Sequence, residues 1–401
     1  MSTSLLYHIF GLKGIRYKTT RFEGERLIFE AEMVTKDIPC PDCGTTNIIF
    51  KGSKWRQLLL PPIGRKRCLL ELLYHRVQCL KCKRIWWPQL SFMLGKHSYA
   101  RSFALQVLDL LKMATIKDIA NYMRVGWDMI KNIHKLKLKR MYKSRPIKNI
   151  KYIGIDEFAI KKGHSYMTIF VDLRDGRVIH AVEGKSKKAI LPFLKRLKRH
   201  ARKLKAISMD MSASYFWAVK EILPKVDIVF DRFHVMGLMN KAIDTFRRQY
   251  QQALNKTDRK VLKGARFLLL SNYENLNEDK KLRLDELLQL NEPLAKMHLM
   301  KEQLRLFWDM KTRQDAARFL NSWSYEAMNS GIPALAKVAR TLMLYRTGLL
   351  TYFDHKITNA PVEGLVNKIK TLKRQAYGFR DIEYFKLRLY HLHQQRYSLA
   401  G

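Results

Sequence analysis

The amino-acid sequence predicts a multidomain α+β protein in which a mixed α/β core is interrupted by an all-helical segment. Three observations lead to this prediction. Two Cys-x-x-Cys pairs lie in a strand-rich first region, apolar strands and helices then follow in the order βββαβαβ, and a long stretch with helical spacing precedes the last segment. A chain of 401 residues is long enough for about two to four domains, each with its own core.

Four of the five cysteines predict a zinc ribbon in residues 1–99. The two Cys-x-x-Cys pairs are formed by Cys40, Cys43, Cys79 and Cys82. The spacing lets both thiolates of a pair reach one ion, and two pairs complete the tetrahedral sulfur shell of structural zinc. Chance thiols or a redox pair are the alternatives. Cys68 lies within an apolar stretch and is expected to be an ordinary packing residue.

Residues 100–148 are predicted to form a helix-turn-helix domain followed by a basic linker. Thr115 can cap a helix that begins at Ile116, with Asp118 in the capping-box position, and Arg124-Val-Gly126 predicts a tight turn before the next helix. Exposed residues of that last helix would face the major groove of DNA. The residues predicted to contact DNA there are Lys131, Asn132 and Lys135. A plain structural bundle is the alternative.

A mixed α/β sheet is predicted in residues 149–234. Apolar runs indicate five strands, and Asp175-Gly176 indicates a hairpin between the second and the third. The first strand is expected to end at Asp156 and the fourth at Asp210. In a ribonuclease H-like arrangement these two strands are adjacent, so their carboxylates would lie close together.

The rest of the chain is predicted to be a helical insertion, residues 235–355, and a C-terminal part of the core, residues 356–401. The insertion follows Asp231-Arg-Phe-His234 and is too long to be a loop. In the last segment, Asn or Thr at the start of Thr358-Asn-Ala-Pro-Val-Glu363 would cap a helix that carries Glu363. Basic residues on this helix are expected to hold DNA. They are Lys368, Lys370, Lys373 and Arg374.

Charge and carboxylates together indicate metal-dependent chemistry on a polyanion. The formal net charge is +41, and it is spread along the chain, which favours nucleic acid as the partner. Each carboxylate alone has a simpler interpretation as a solvated surface residue. Together, Asp156, Asp210 and Glu363 offer the oxygen ligands that Mg²⁺ requires. No apolar run approaches the ~18 to 20 residues that cross a bilayer, and no secretory signal is present, so a cytoplasmic, nucleoid-associated protein is expected.

The order of these motifs resembles that of the ISL3 family of bacterial insertion-sequence transposases (the IS204/IS1001/IS1096/IS1165 group). The resemblance covers nearly the whole chain and implies a DDE transposase with Asp156 and Asp210 as its two aspartates and Glu363 as its glutamate. It also implies that His234 lies near the scissile phosphate. Thr358 stands where many relatives have Ser, which is a mild departure because either hydroxyl can cap the helix.

The resemblance implies the reaction and the partners as well. Water would attack the phosphodiester at a transposon end with the help of Mg²⁺ or Mn²⁺, and the freed 3′-OH would attack target DNA. The zinc ribbon and the helix-turn-helix would bind terminal inverted repeats, and joining two ends implies a homodimer or a higher oligomer on double-stranded DNA.

Two other functions share parts of this pattern. A ribonuclease H-like nuclease or resolvase would use the same carboxylates without joining strands, and a domesticated DNA-binding regulator would keep only the scaffold. At the residue level, strand alternation turns Glu157 away from Asp156, which favours a flanking or salt-bridged role for Glu157. A histidine such as His234 at a strand-to-helix junction is about as often structural as catalytic.

Overall fold

The computed structural model describes residues 5–161, 163, 165–253 and 264–394, which fall into two compact units. Residues 5–143 belong to the first unit, and residues 144–394 belong to the second. Each unit contains one five-stranded sheet. The fold is therefore a mixed α/β architecture with two separate sheets and many helices.

The sheet of the first unit is built around two long strands that join the cysteine pairs. Its strands are β1 (Ile15–Glu23), β2 (Arg26–Met33), β3 (Ile48–Ile63), β4 (Lys66–Cys79) and β5 (Ile85–Trp86). The order is β1-β2-β4-β3, with β5 on the end of β4, and only β2 and β4 are parallel. The strands between the cysteine pairs were predicted, but β1 and β2 were not. Because β1 is exposed along almost its whole length, its residues lack the apolar alternation that marks a strand.

Both faces of this sheet are covered by helices. These are α1 (Leu5–Phe10), α2 (Arg101–Leu110), α3 (Ile116–Met123) and α4 (Trp127–Met141). Phe29 on one face of the sheet packs with Phe10 of α1, whereas Ile28 on the other face belongs to a core with residues of α2, α3 and α4. This alternation follows from the two-residue period of a strand. The helix-turn-helix and the cysteine-bearing sheet thus share a hydrophobic core.

The helix-turn-helix forms as the sequence predicts. Thr115 and Asp118 make the reciprocal capping box, Arg124 ends α3 in the left-handed region, and α4 begins after Gly126. The sequence also suggested an apolar stripe of Leu105, Leu108 and Leu111, of which Leu108 and Leu111 pack against the core whereas Leu105 is 52% exposed.

The second unit contains a sheet with three antiparallel strands and two further parallel ones. Its strands are β6 (Tyr152–Ala159), β7 (Tyr166–Asp172), β8 (Val178–Glu183), β9 (Ala206–Met209) and β10 (Asp227–Phe230). The order is β10-β9-β6-β7-β8, and β9 and β10 run parallel to β6. The predicted order βββαβαβ is confirmed. The prediction that β6 ends at Asp156 was wrong, because pairing with β7 continues to Ala159 although pairing with β9 stops at Gly154.

Helices cover both faces of this sheet. On one face lie α5 (Lys187–His200) and α6 (Ala213–Ile222), which share a core with Ile153 and Ile155. On the other lie α15 (Ala360–Gln375) and α16 (Ile382–His391).

Between β10 and α15 the described residues form helices. These are α7 (Arg232–Ala253), α8 (Ala265–Leu270), α9 (Glu278–Gln289), α10 (Glu292–Arg305), α11 (Arg313–Met328), α12 (Pro333–Leu344), α13 (Arg346–Leu350) and α14 (Tyr352–His355), with short 3₁₀ turns at Tyr273–Asn275 and Leu306–Asp309. Gly348 of α13 lies so close to the ring of Phe230 that a Cβ would come within 2.4 Å of it. The helical segment therefore packs directly on the edge strand of the sheet. In the described part of the chain, no helix combines the length and apolar character that a membrane crossing needs.

Candidate functional site

Three aspartates lie side by side where the parallel pairing of β6, β9 and β10 ends. Gly154 of β6 pairs with Ser208 of β9, so Asp156 and Asp210 each lie two residues beyond the same rung. Met209 pairs with Phe230 of β10, which places Asp231 beside Asp210. Adjacent strands are about 4.8 Å apart. The register therefore aligns Asp156, Asp210 and Asp231 along one edge of the sheet.

Strand alternation places Asp156 on the face that α15 covers. Gly154 lies two residues earlier on the same face, and a Cβ there would come within 2.3 Å of Val362 and 2.8 Å of the Oδ1 of Asn359. Glycine is therefore needed at this position so that α15 can approach the strand. The close contact carries the first turn of α15, and with it Glu363, to the part of the sheet where the aspartates lie.

Asn359 connects α15 to two of these strands. Its Nδ2 donates to the carbonyl of Ile155 at 3.4 Å, and its backbone N–H donates to Oδ1 of Asp231 at 3.3 Å. The side chain is buried and makes no capping bond to its own helix, although Asn359 occupies the N-cap position. The sequence indicated a helix cap here, whereas the amide is used to hold the helix against the sheet.

The electrostatics of this edge are unfavourable to full ionisation. Burial, followed by the negative charge of Asp210, raises the pKa of Asp156 to about 6. One oxygen of Asp156 accepts from the backbone N–H of Glu157 at 2.7 Å. Burial and the neighbouring carboxylate thus both disfavour the charged form of Asp156.

His234 supplies a positive charge beside Asp210. Its Nε2 lies 2.7 Å from Oδ1 of Asp210, and this contact raises the pKa of His234, while burial of the ring acts in the opposite direction. The same Oδ1 is buried without a hydrogen bond of good geometry. The distance is that of an ion pair when the ring is protonated.

Glu363 is exposed on the first turn of α15, and its N–H donates to the carbonyl of Asn359 at 3.0 Å. Within the described ranges, the cysteine cluster is the single group of three or more His, Cys, Asp or Glu ligand atoms lying within 4.8 Å of one another. Asp156, Asp210 and Glu363 are therefore at the same edge of the sheet but not within that mutual distance.

Glu157 belongs to the opposite face. Tyr215 of α6 is buried there, and its hydroxyl lies 2.9 Å from the Oγ1 of Thr168, the residue that pairs with Glu157 across β6 and β7. Burial raises the pKa of Tyr215, and contact with Glu157 contributes to the rise. The expected separation of Glu157 from Asp156 by strand alternation agrees with this contact.

The four predicted zinc ligands come together in the first unit. Cys40 Sγ lies 3.5 Å from Cys82 Sγ, Cys43 Sγ lies 3.5 Å from Cys79 Sγ, and all four sulfurs lie within 4.8 Å of one another. A tetrahedron with Zn–S bonds of ~2.3 Å has edges of about 3.8 Å. The cluster therefore fits one zinc ion. Cys68 is fully buried in the core of the sheet, as expected.

The two cysteine pairs share a backbone geometry. The residue after each second cysteine, Gly44 in one pair and Lys83 in the other, has a positive φ, 74° and 60° respectively. The N–H of Cys82 donates to Cys79 Sγ at 3.4 Å and is the largest of the contributions that lower the pKa of the Cys79 thiol to about 7. Backbone N–H groups turned toward sulfur favour the thiolate that binds zinc.

The residues of α4 that were predicted to contact DNA differ in their exposure. Asn132 is exposed on α4, whereas the ammonium of Lys131 is held 2.8 Å from Asp128 and lies over the ring of Trp127. Lys135 is half-buried. Beside the turn between α3 and α4 lies a groove of about 590 Å³ whose lining includes Arg67, Asn121 and Arg124.

On α15, Lys368, Lys370 and Arg374 are exposed. Lys373 differs, because its ammonium donates to the carbonyl of Ala159 at the end of β6 and burial lowers its pKa. Lys373 thus ties α15 to the sheet.

Sequence reasoning missed Asn359 and Asp231 as parts of the site. The sequence around Asn359 also fits an ordinary helix cap, and only the packing of α15 on β6 shows its second use. Asp231 was noted because it precedes His234, but its alignment with Asp210 depends on the register of β10. Its position directly after an apolar strand is the signal that could have found it.

Comparisons with known proteins agree on one family. A family model for ISL3-type DDE transposases, described as "Transposase", matches residues 153–389. The chain is 31% identical over 376 residues, 91% of both chains, to the transposase for insertion sequence element IS1001 of Bordetella parapertussis. It is 28% identical over 257 residues, 58% of both chains, to the transposase for insertion sequence element IS1557 of Mycobacterium tuberculosis.

One solved structure, the Drosophila P element transposase strand transfer complex, aligns with a TM-score of 0.36 and 12% identity over 74% of this chain and 92% of that chain.

Proposed function

Because the chain belongs to the ISL3 family of DDE transposases, enzymes that cleave DNA and transfer strands, we propose that Asp156, Asp210 and Glu363 are its catalytic carboxylates. The observation that carries this proposal is the register of the sheet. It aligns Asp156 with Asp210 on adjacent parallel strands, while the close approach at Gly154 brings the Glu363 turn to the same edge.

The proposed catalytic fold is ribonuclease H-like. Its support is the strand order β10-β9-β6-β7-β8, in which a central strand carries the first aspartate, two antiparallel strands lie on one side and two parallel strands lie on the other. The helices α7 to α14 then form an insertion between the last strand and the helix that carries Glu363.

A DDE transposase uses a divalent cation, and the proposed ion here is Mg²⁺ or Mn²⁺. The residues fit such a cation, because Asp156 and Asp210 are half-buried carboxylates close enough that the charge of Asp210 adds to the effect of burial on the pKa of Asp156. Carboxylate oxygens are the ligands that these cations prefer. When bound, the ion would polarise the attacking oxygen and neutralise charge on the leaving oxygen. The role of Asp156 and Asp210 is to present fixed oxygens from the sheet. Glu363, which is exposed, would close on the ion from the helix.

His234 is proposed to act beside this centre. Its ion pair with Asp210 fixes the orientation of that carboxylate. Because the ring is also partly exposed, it can face the phosphate of bound DNA and stabilise its negative charge.

The first unit is proposed to recognise terminal inverted repeats through the zinc ribbon and the helix-turn-helix. Asn132 of α4 is exposed where a major-groove contact would be made. The net charge of +41 supports additional contacts with phosphates that weaken as salt increases. Synapsis of two transposon ends requires at least a dimer on DNA, and the enzyme would act at the nucleoid.

A strand-transfer assay tests the proposal. The substrate is a transposon end with a pre-cleaved 3′-OH, incubated with target DNA and Mg²⁺. Asp156→Asn, Asp210→Asn and Glu363→Gln should each lower the rate by at least about 10²- to 10³-fold, the loss seen when one electrostatic group leaves a catalytic site, and each should still bind the DNA.

The matched control is Glu157→Gln, which removes a carboxylate next to Asp156 but on the opposite face of β6. Its joining rate should stay within a few-fold of the unsubstituted protein. Equal losses in Glu157→Gln and Asp156→Asn would contradict the assignment.

A further inference from the structure

The turn that follows α15 places a tyrosine where a helix usually ends with glycine. Tyr377 has φ +47°, its N–H donates to the carbonyl of Arg374 at 3.1 Å, and the N–H of Gly378 donates to the carbonyl of Lys373 at 3.0 Å. These two bonds are those of a Schellman motif, in which the left-handed position favours glycine because a Cβ is strained there. Glycine comes only one residue later, at Gly378.

Two other helices in the described part of the chain end on a left-handed residue other than glycine, but those residues are basic. Arg124 ends α3 and forms an ion pair with Glu25, and Lys356 ends α14. Tyr377 instead carries an aromatic ring, and it is 101% exposed. A strained backbone that exposes an aromatic ring to water lowers stability, and the exposed ring adds no packing that would offset this cost. This arrangement points to a functional role for the ring.

The turn is held rigidly on both sides of the exposed ring. On one side, Lys373 donates to the carbonyl of Ala159 at the end of β6. On the other, Phe379 stacks on Phe385 of α16 with ring centroids 4.5 Å apart, and Phe385 in turn contacts Phe158 of β6 at 6.1 Å. Tyr377 therefore projects from a fixed base.

The surroundings of the ring are positively charged. Lys370 and Arg374 on the last turns of α15 and Arg380 after the turn are exposed. Exposed aromatic rings among basic side chains are the arrangement that binds unpaired nucleotides, because the cations follow the phosphates and the ring stacks on a base.

We propose that Tyr377 stacks on an unpaired base of the DNA strand that Glu363 helps to cleave. This inference rests on the proposed transposase site. The helix rises about 18 Å between Glu363 and its end, and a nucleotide step is about 3.4 Å. A strand that keeps duplex-like stacking would span this distance in about five nucleotides.

The test compares two fluorescent DNA probes of equal length, a duplex with a single-stranded tail and a blunt duplex, by anisotropy. Tyr377→Ala should bind the tailed probe about 5- to 150-fold more weakly, the range for loss of one base–aromatic stack, and should bind the blunt probe as before. Tyr377→Phe keeps the ring and should bind both probes normally. Tyr377→Gly should lose tailed-probe binding without a lower thermal unfolding midpoint, since glycine suits this backbone.

Tyr325 provides a control, because it is 70% exposed on α11 outside this turn. Tyr325→Ala should bind both probes normally. Unchanged tailed-probe binding by Tyr377→Ala, or an equal loss for both probes, would overturn the inference. Binding needs no catalysis, so this outcome is separate from that of the strand-transfer assay. If Asp210→Asn still joined strands while Tyr377→Ala bound the tailed probe more weakly, the catalytic assignment would be wrong and the stacking proposal would stand.

Discussion

The cysteine cluster and the proposed carboxylate site are built in opposite ways. The cysteines come as two short pairs whose sulfurs already lie within 4.8 Å of one another. The carboxylates come from three distant segments, and the register of β6 and β9 together with the docking of α15 brings them to one edge. The cluster is closed by four protein ligands, whereas the carboxylate edge is open to solvent at Glu363.

This difference is the one expected between a structural metal site and the proposed catalytic site. A closed tetrahedral shell leaves no position for a substrate, and its binding energy contributes to folding. An open edge with a half-buried carboxylate costs stability when that group is ionised, as the raised pKa of Asp156 indicates, and on the proposed assignment it would accept both an ion and a phosphodiester. The two sites should therefore respond differently to the same kinds of perturbation.

Removal of one zinc ligand should have the largest effect. Cys79→Ser should lose the zinc ion and unfold the first unit, because structural zinc sites supply about 10 to 16 kcal/mol of apparent binding energy. The measurement is zinc content per chain together with circular dichroism on heating. Cys68→Ala changes a buried cysteine outside the cluster and should keep its zinc. A folded, zinc-free Cys79→Ser protein would remove the distinction between the two sites.

A methyl group at Gly154 should damage the carboxylate edge and leave the zinc cluster unchanged. Gly154→Ala places its Cβ against Val362 and Asn359, so α15 must move away from β6 at a cost of about 1 to 3 kcal/mol. Joining activity should fall by at least about tenfold, because displaced catalytic groups lose their geometry.

The control lies on the same helix. Gly364→Ala has open space for its Cβ and should keep activity, with stability raised by about 0.5 to 1 kcal/mol. Equal activity in the two alanine variants would show that the approach of α15 at Gly154 is unimportant.

The sequence predicts the closed site far better than the open one. The spacing of Cys40 and Cys43 and of Cys79 and Cys82 states the ligand set directly, because the geometry is set within each pair. The capping box at Thr115 and the order βββαβαβ along the chain in the second unit were also predictable, since both depend on local sequence patterns.

The open site depends on relations between distant segments. That Asp231 lies beside Asp210 follows from the register of β10, and that Asn359 holds α15 follows from the absence of a side chain at Gly154. The hydrogen bond from Lys373 to the carbonyl of Ala159 likewise depends on where β6 ends. None of these contacts has a local signature, so residue type and spacing could suggest the three candidate carboxylates but not the residues that surround them.

Acid should weaken the carboxylate edge. Because the pKa of Asp156 is raised to about 6, its carboxyl becomes protonated as the pH falls through that value and ceases to bind a cation. Mn²⁺ affinity should be full above about pH 7 and fall by up to about tenfold per unit below pH 6. In the absence of a cation, the free energy of unfolding should instead increase as the pH falls from 6 to 4, because protonation of Asp156 favours the folded state. Isothermal titration at several pH values measures the affinity, and a constant affinity from pH 7 to 5 would contradict the assignment.

The smallest effect is expected at the second cysteine pair. Lys83 has the same left-handed backbone as Gly44, so Lys83→Gly should stabilise the zinc-bound first unit by up to about 1 kcal/mol in denaturant unfolding. The mirror change, Gly44→Lys, should destabilise it by a similar amount. If Lys83→Gly destabilised the first unit, or Gly44→Lys stabilised it, the two cysteine pairs would not be equivalent in geometry.

The most direct measurement of the central claim is the position of Mn²⁺ by anomalous diffraction in a crystal of the protein with transposon-end DNA. We expect an ion within about 2.0 to 2.2 Å of oxygens from Asp156 and Asp210, with Glu363 turned toward the same ion or its neighbour. Mn²⁺ bound elsewhere, or a Glu363 carboxylate more than about 10 Å from both aspartates when paired ions are only ~4 Å apart, would contradict the account.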